Sequence, residues 1–138
     1  NQFGCPNARD PKHPKAGTGG PSPNTPFQNL ATQQMAKRSD GGCIKDEHLS
    51  KDSNKAGTLS MANTGKPNSG GSQMFINVAE NPELDWFSPG SSKHPVFGRI
   101  IEGFELCEQI SKVKTTNDNP DEPIKMTSIE ISNLKNQM

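Results

Sequence analysis

The sequence predicts a small, mainly β domain, an antiparallel barrel or sandwich with one helix. Short segments of strand-like alternation are separated by loops rich in Gly, Pro, Asn and Ser. Only one segment carries apolar residues at the repeated short spacing that is typical of an amphipathic helix. The length of 138 residues fits one domain at most.

The first part of the chain lacks regular patterning. Residues 1–56 are dominated by Pro, Gly, Asn, Lys and Ser, and six prolines between positions 6 and 26 prevent a helix or a long strand there. Taken alone, this part is typical of a linker or a disordered arm. Residues 28–38 predict a short helix, because Leu30, Ala31 and Met35 have weak helical spacing.

The second part of the chain predicts regular elements. Strands are expected over residues 57–63, 73–79, 95–101 and 125–132. In the clearest of these, Phe75 lies on one face, and Met74, Ile76 and Val78 lie on the other. A helix is expected after the third strand, with an apolar stripe formed by Phe104, Cys107, Ile110 and Val113.

Composition and charge exclude several classes of function. Fifteen basic residues balance fifteen acidic ones, which argues against a nucleic-acid platform. No apolar run approaches 18 residues, so we expect neither a transmembrane helix nor a membrane partner. Only 23 of 138 residues are Leu, Ile, Val or Phe, a share that raises disorder as an alternative. Disorder usually also needs a high net charge, however, and a loop-rich globule fits better.

Cysteine and glycine patterns point to no cofactor chemistry. Cys5, Cys43 and Cys107 form neither a disulfide framework nor a zinc motif. They predict reduced thiols in a cytoplasmic, or else nuclear, compartment. The glycine clusters at 17–20 and 65–72 lack the Lys-Ser/Thr pair that follows in a phosphate loop. We therefore expect no cofactor and no metal.

A cluster of apolar and amide residues remains as the candidate site. It comprises Asn63, Gln73, Phe75, Leu84 and His94. From the residue types alone, an ordinary structural role stays open, with Phe75 in the core, Asn63 in a turn and Gln73 at a sheet edge.

Ordered motifs give the chain a specific resemblance. The segment Leu-Ser-Met-Ala-Asn at 59–63 is followed by Gly-Ser-Gln-Met-Phe-Ile at 71–76, by Leu84-Asp85 and by Val-Phe-Gly at 96–98. Together with Gly-Thr-Gly-Gly at 17–20, these blocks resemble the cyclophilins. The resemblance covers most of residues 1–132, with an insertion at about 29–47. It implies a cyclophilin-like antiparallel β-barrel with a capping helix over residues 1–132, followed by a C-terminal tail over 133–138.

The resemblance also implies an activity and its residues. Cyclophilins are peptidyl-prolyl cis–trans isomerases, so the expected partners are proline-containing peptides and proteins. By position, Phe75 is similar to the aromatic floor of the proline pocket, with Leu84 and His94 as its walls. Ala62 and Asn63 resemble the family's clamp on the substrate main chain, and Gln73 resembles its pocket glutamine. Gln2 resembles the glutamine that follows the family's Phe-Met pair on a central strand. The resemblance assigns Gln2, Phe75 and His94 to the catalytic centre, and it assigns substrate binding to Ala62, Asn63, Gln73, Phe75, Leu84 and His94.

Three departures from the family pattern limit these expectations. The catalytic arginine, the adjoining Phe-Met pair, the first strands and the first helix are expected upstream of residue 1, so the chain is expected to be N-terminally truncated. Arg9, Arg38 and Arg99 are not at the matching position. Glu83 stands where many members carry tryptophan, which predicts weakened cyclosporin binding. Phe3 replaces a residue that is usually small.

Two other functions stay open at this point. One is a binding module or scaffold that holds proline peptides without useful turnover. The other is a structural fragment that pairs with a missing half or with another copy.

Overall fold

The structure, a computed structural model, describes residues 1–132. In chain order the regular elements are β1 (Gln2–Phe3), β2 (Pro26–Gln28), β3 (Met35–Lys37), β4 (Thr58–Met61), β5 (Met74–Ile76), β6 (Val96–Arg99), α1 (Phe104–Ser111), β7 (Thr115–Thr116) and β8 (Asn119–Pro120). Two short 3₁₀ helices lie at Pro6–Arg9 and Pro82–Leu84. The predicted tail at 133–138 lies outside the described residues.

A four-stranded sheet in the order β1-β5-β4-β6 is the largest element, and all its neighbours are antiparallel. Strands β4, β5 and β6 confirm three of the predicted strands, each somewhat shorter than expected. Phe75 lies opposite Gln2 on one side and Ser60 on the other. The mainly β, antiparallel prediction is confirmed. Over residues 1–132 the sheet is open and does not close into a barrel.

The helix predicted over residues 28–38 is wrong, because this segment forms the β2–β3 hairpin. The Asn29 side-chain oxygen accepts hydrogen bonds from the amides of Ala31 at 3.0 Å and Thr32 at 3.2 Å. Gln33 has a left-handed φ of 59°. This local turn competes with the helix for the backbone donors, and the weak apolar spacing cannot outweigh it.

The strand predicted over residues 125–132 is also wrong, since no residue from 122 to 132 is in a strand. Ile129 is 69% exposed and Ile131 is 92% exposed. Alternation of apolar and polar residues yields a strand only where a neighbouring strand accepts its backbone hydrogen bonds. None of the described strands pairs with this segment.

The predicted helix is confirmed as α1. Cys107 and Ile110, on its apolar stripe, are half-buried, whereas Leu106, outside the stripe, is 58% exposed. The Asn1 side-chain amide donates to the Cys107 carbonyl at 2.7 Å and so fastens the helix to the start of the chain. None of the described helices is long and apolar enough to cross a membrane.

The best-buried side chains are polar. Asn54 and Ser60 are fully buried, Asn77 is 2% exposed and Asp85 is 3% exposed, and no apolar side chain of residues 1–132 is buried to that degree. The Asn54 oxygen accepts from the Ser60 hydroxyl at 2.6 Å and from the Asn77 amide at 3.1 Å. Its nitrogen donates to Asp85 at 2.9 Å and to the His94 carbonyl at 3.1 Å. Asn54 therefore joins β4, the residue after β5, and both ends of the following loop.

The interpretation of residues 1–56 as a free arm is therefore wrong. This part provides β1, which pairs with β5, and Asn54, which is the centre of the buried polar cluster. Its prolines do prevent long elements, since its three strands have two or three residues each.

We expect Asn54→Ala to lower the free energy of unfolding by about 2–4 kcal/mol, because it leaves several buried polar groups without a partner. Urea denaturation measures the loss. The matched control is Asn119→Ala at an exposed position, with an expected change within about 0.5 kcal/mol. An equally small change for Asn54→Ala would contradict the role given to this cluster.

Candidate functional site

Two aromatic side chains meet at the centre of the sheet. The rings of Phe75 and His94 contact edge to face, with centroids 5.4 Å apart and an interplanar angle of 80°. His94 Nδ1 lies 2.9 Å from the Met61 carbonyl oxygen, and the His94 amide donates to the Leu84 carbonyl at 3.0 Å. A carbonyl oxygen only accepts, so the first contact places a proton on Nδ1. Both rings are half-buried, so Phe75 is not sealed in an interior.

The loop between β5 and β6 is fixed by Asp85. Its carboxylate accepts from the Ser53 hydroxyl at 2.6 Å, the Asn54 backbone amide at 2.7 Å and the Asn54 side chain at 2.9 Å. Burial alone would raise the pKa of Asp85, but these donors and the charge of Lys55 hold the pKa below its usual value. Asp85 is thus an ionised anchor that places the preceding Leu84 beside His94.

The Gln73 carboxamide bridges three segments. Its oxygen accepts from the Gln2 side chain at 2.7 Å, and its nitrogen donates to the carbonyls of Gly17 at 2.9 Å and Gly19 at 2.8 Å. The Gln73 backbone carbonyl accepts from the Ala62 amide at 3.1 Å. The side chain is therefore held in one orientation next to β1 and the Gly-Thr-Gly-Gly turn.

Asn63 continues β4 without joining a ladder. Its side-chain nitrogen donates to the Lys93 carbonyl at 2.8 Å, and its oxygen accepts from the Gly65 amide at 2.9 Å. Its own backbone amide and carbonyl make no hydrogen bond to another residue in the 1–132 range. An extended peptide could use these two groups as a short strand edge. Ala62 and Asn63 also line a shallow depression with Pro95 and residues 44–47.

The structure places the predicted site residues on adjoining elements, joined by pairwise contacts: Gln2 with Gln73, Gln73 with Ala62, Phe75 with His94, and His94 with Leu84. Asn63 follows Ala62 and reaches the residue before His94. Of the seven, only Ala62 and Asn63 line the shallow depression. The roles of all these residues toward a substrate remain predictions. The sequence interpretation missed Asn54 and gave Asp85 no role, although both position His94 or its neighbours. No sequence signal separates Asn54 from the many other asparagines, whereas the Leu84-Asp85 pair already marked Asp85.

Two further side chains of types found in the family's site, a tryptophan and an arginine, make contacts outside the candidate site. Trp86 stacks on His48 with centroids 4.8 Å apart and donates to the Ser50 carbonyl at 2.7 Å. Arg38 donates to the carbonyls of Gly42 at 3.2 Å and Gly71 at 3.4 Å, and it packs over Phe27. Arg38 fastens the β2–β3 hairpin, and none of the other arginines in residues 1–132 donates a side-chain hydrogen bond.

Comparison with known proteins assigns the chain to a family. The model of the cyclophilin type peptidyl-prolyl cis-trans isomerase/CLD family matches residues 10–131. The chain belongs to this family, and the resemblance stated from its motifs is confirmed.

Relatives and a solved structure agree with this assignment. The chain is 34% identical over 105 residues to a peptidyl-prolyl cis-trans isomerase of Acinetobacter baylyi, covering 72% of this chain and 55% of the relative. It is 34% identical over 104 residues to peptidyl-prolyl cis-trans isomerase A of Dickeya dadantii, covering 75% and 54%. A cyclophilin type isomerase of Cryptosporidium parvum, crystallised in the presence of the dipeptide Ala-Pro, matches with a TM-score of 0.56 and 25% identity, covering 86% of this chain and 58% of that one. The chain thus spans about half the length of these curated relatives.

We expect the free energy of unfolding to decrease as the pH falls below about 4. The pKa of Asp85 is lower in the folded state than in the unfolded state. Its contribution is therefore complete above the unfolded pKa and is lost as the pH falls through the folded pKa. Urea denaturation between pH 2 and 7 measures this dependence.

Asp85→Asn should reduce the acid-dependent loss and destabilise the protein at neutral pH. Asp118→Asn, at an exposed position, is the matched control and should keep the wild-type pH dependence. If wild type and Asp85→Asn lose stability in parallel on acidification, the anchoring role of the carboxylate is wrong.

Proposed function

We propose that this chain is a peptidyl-prolyl cis–trans isomerase domain that acts on X-Pro bonds in proteins. The observation that carries the proposal is the half-exposed pair of Phe75 and His94 beside the unpaired backbone of Asn63. Membership of the cyclophilin type isomerase family supports it. The Ala-Pro dipeptide in the related crystal structure supports proline-containing peptides and proteins as the partners.

The chemistry of this reaction needs shape and hydrogen bonding rather than a nucleophile. The X-Pro bond rotates slowly because resonance gives it partial double-bond character, with a barrier of about 18–20 kcal/mol. A catalyst must bind the twisted amide more tightly than either planar isomer. In this proposal Phe75 is the floor for the prolyl ring, Leu84 and His94 are its walls, and Asn63 holds the flanking main chain.

In this proposal the side-chain amides of Gln73 and Gln2 contribute to binding the peptide. Gln73 and Gln2 form a hydrogen-bonded pair on the side of Phe75 that faces β1. Because their orientation is fixed before substrate arrives, little side-chain entropy is lost on binding.

Exchange spectroscopy on a short Ala-Pro peptide tests the activity. We expect the chain to accelerate exchange between the cis and trans forms of the peptide, which broadens their proline signals or gives exchange cross-peaks between them. Phe75→Ala should weaken peptide affinity at least about tenfold, because it removes the apolar floor. Phe97→Ala is the matched control, since Phe97 is 52% exposed on β6, and it should leave the affinity unchanged. Shifted signals without exchange would show a binding module, and no effect at any concentration would exclude both functions.

We also propose weak cyclosporin binding. The position before Leu84 carries Glu83, a carboxylate with no indole surface to stack on the ligand. Trp86 does not replace that surface, because it is stacked on His48. Glu83→Trp should tighten cyclosporin binding about three- to tenfold in a calorimetric titration. Glu122→Trp, another exposed position, should not change it, and equal affinities for wild type and Glu83→Trp would contradict the proposal.

We propose a cytoplasmic or nuclear location, supported by three cysteines that form no disulfide with one another. The balanced charge supports the absence of a nucleic-acid partner.

A further inference from the structure

The sulfur of Cys5 points at the Gly-Thr-Gly-Gly turn. Cys5 follows β1 and directly precedes the 3₁₀ helix Pro6–Arg9, and it is half-buried. Its Sγ accepts hydrogen bonds from the backbone amides of Gly17 and Gly19, each at 3.2 Å. Among residues 1–132, no other acceptor is within hydrogen-bond distance of these two amides.

The same two glycines bind Gln73 through their carbonyl groups. The Gln73 nitrogen donates to Gly17 at 2.9 Å and to Gly19 at 2.8 Å. The turn is therefore held between a sulfur on its amide side and a carboxamide on its carbonyl side. Gly17 has a left-handed φ of 86°, a conformation that glycine adopts without the steric cost that a Cβ would bring.

Other contacts within the turn do not replace the sulfur. The Thr18 amide and hydroxyl both bind the Lys15 carbonyl, at 3.1 and 2.8 Å. The Thr18 amide shares a peptide plane with the Gly17 carbonyl, so its bond to Lys15 also orients that carbonyl. The two peptide planes on either side, Ala16–Gly17 and Thr18–Gly19, are held among residues 1–132 by the sulfur alone.

The surroundings of the sulfur favour its anionic form, which is the stronger acceptor. Burial alone would raise the pKa of the Cys5 thiol, but the backbone amides of Gly19, Asn7, Ala8 and Gly17 together hold the pKa below its usual value.

We propose that Cys5 is a positioning residue for Gln73: its sulfur fixes the Gly17–Gly19 turn, and the turn fixes the carboxamide that faces the proline-peptide site. The effect on peptide binding rests on the proposed function. The effect on Gln73 rests on the contacts alone, so the two can be tested separately.

The first experiment follows the side-chain amide signals of Gln73 by NMR in the whole chain. In Cys5→Ala, which removes the acceptor, we expect these signals to shift and their hydrogen exchange to accelerate. Cys5→Ser retains an acceptor and should stay closer to wild type. Cys43→Ala is the matched control, since Cys43 contacts Gly41 and not the turn, and it should leave the signals unchanged.

A pH titration of the same signals separates positioning from a general loss of structure. In wild type and Cys43→Ala, the Gln73 signals should titrate with an inflection below the ordinary pKa of a thiol. The inflection should be missing in Cys5→Ser, whose hydroxyl does not ionise in this range. The wild-type titration also keeps the test decisive if Cys5→Ala does not fold.

The second experiment measures the affinity for an Ala-Pro peptide. We expect Cys5→Ala to weaken binding about three- to tenfold, with Cys5→Ser between it and wild type and Cys43→Ala unchanged. Unchanged Gln73 signals in Cys5→Ala, or no inflection in wild type, overturn the positioning role. If the Gln73 signals change in Cys5→Ala but wild type and Cys5→Ala bind the peptide equally well, the positioning of Gln73 has no effect on peptide binding, and that part of the proposal is wrong. If wild type binds no peptide while Gln73 responds, the proposed function fails and the positioning of Gln73 is supported.

Discussion

The four hydrogen bonds of the Asn54 side chain are the constraint on which the candidate site depends. A carboxamide has two donors and two acceptor positions, and here all four are used inside the protein. One bond reaches the carbonyl of His94, and another reaches the carboxylate that follows Leu84. The aromatic pair at the sheet centre is therefore held by buried polar groups, in a structure whose described apolar side chains all remain partly accessible.

Such a polar centre has a direct physical consequence. A buried hydrogen bond contributes modestly when made, but a buried group left unpaired is costly. The arrangement therefore favours this placement of the loop between β5 and β6, which satisfies Ser53, Asn54 and Asp85 together. That placement puts the backbone of His94 against Leu84 and its ring against Phe75. Hydrogen bonds to buried polar groups, rather than packing on a large apolar core, hold this loop in place.

Local sequence patterns predicted the strands and the helix that have one apolar face. The alternation around Phe75 and the stripe on α1 were sufficient, because a strand or helix with one apolar face shows its period in the sequence. The hairpin of β2 and β3 was missed because its cause is the Asn29 turn, which outweighed a weak helical spacing. The alternating segment at 125–132 failed for the opposite reason, since its pattern lacks a neighbouring strand in the described sheet.

The ordered motifs predicted which positions form the candidate site. They did not predict which other residues hold those positions in place. Gln2 lies far in sequence from Gln73 and Phe75, and the pairing of β1 with β5 brings it beside them. Cys5 acts through backbone amides, whereas Asn54 acts through three side chains and one backbone carbonyl, and such contacts leave no trace in residue type or spacing. The Pro-rich beginning of the chain was underestimated in the same way, because its order comes from contacts with the second part of the molecule.

We propose that a prolyl ring binds on Phe75 between Leu84 and His94. Intermolecular nuclear Overhauser effects between an Ala-Pro peptide and the full chain measure this contact. We expect them to join the proline ring protons to the aromatic protons of Phe75 and His94, and we expect the peptide to perturb the amide signal of Asn63. Proline contacts confined to another surface, with unchanged Phe75 signals at saturating peptide, would contradict it.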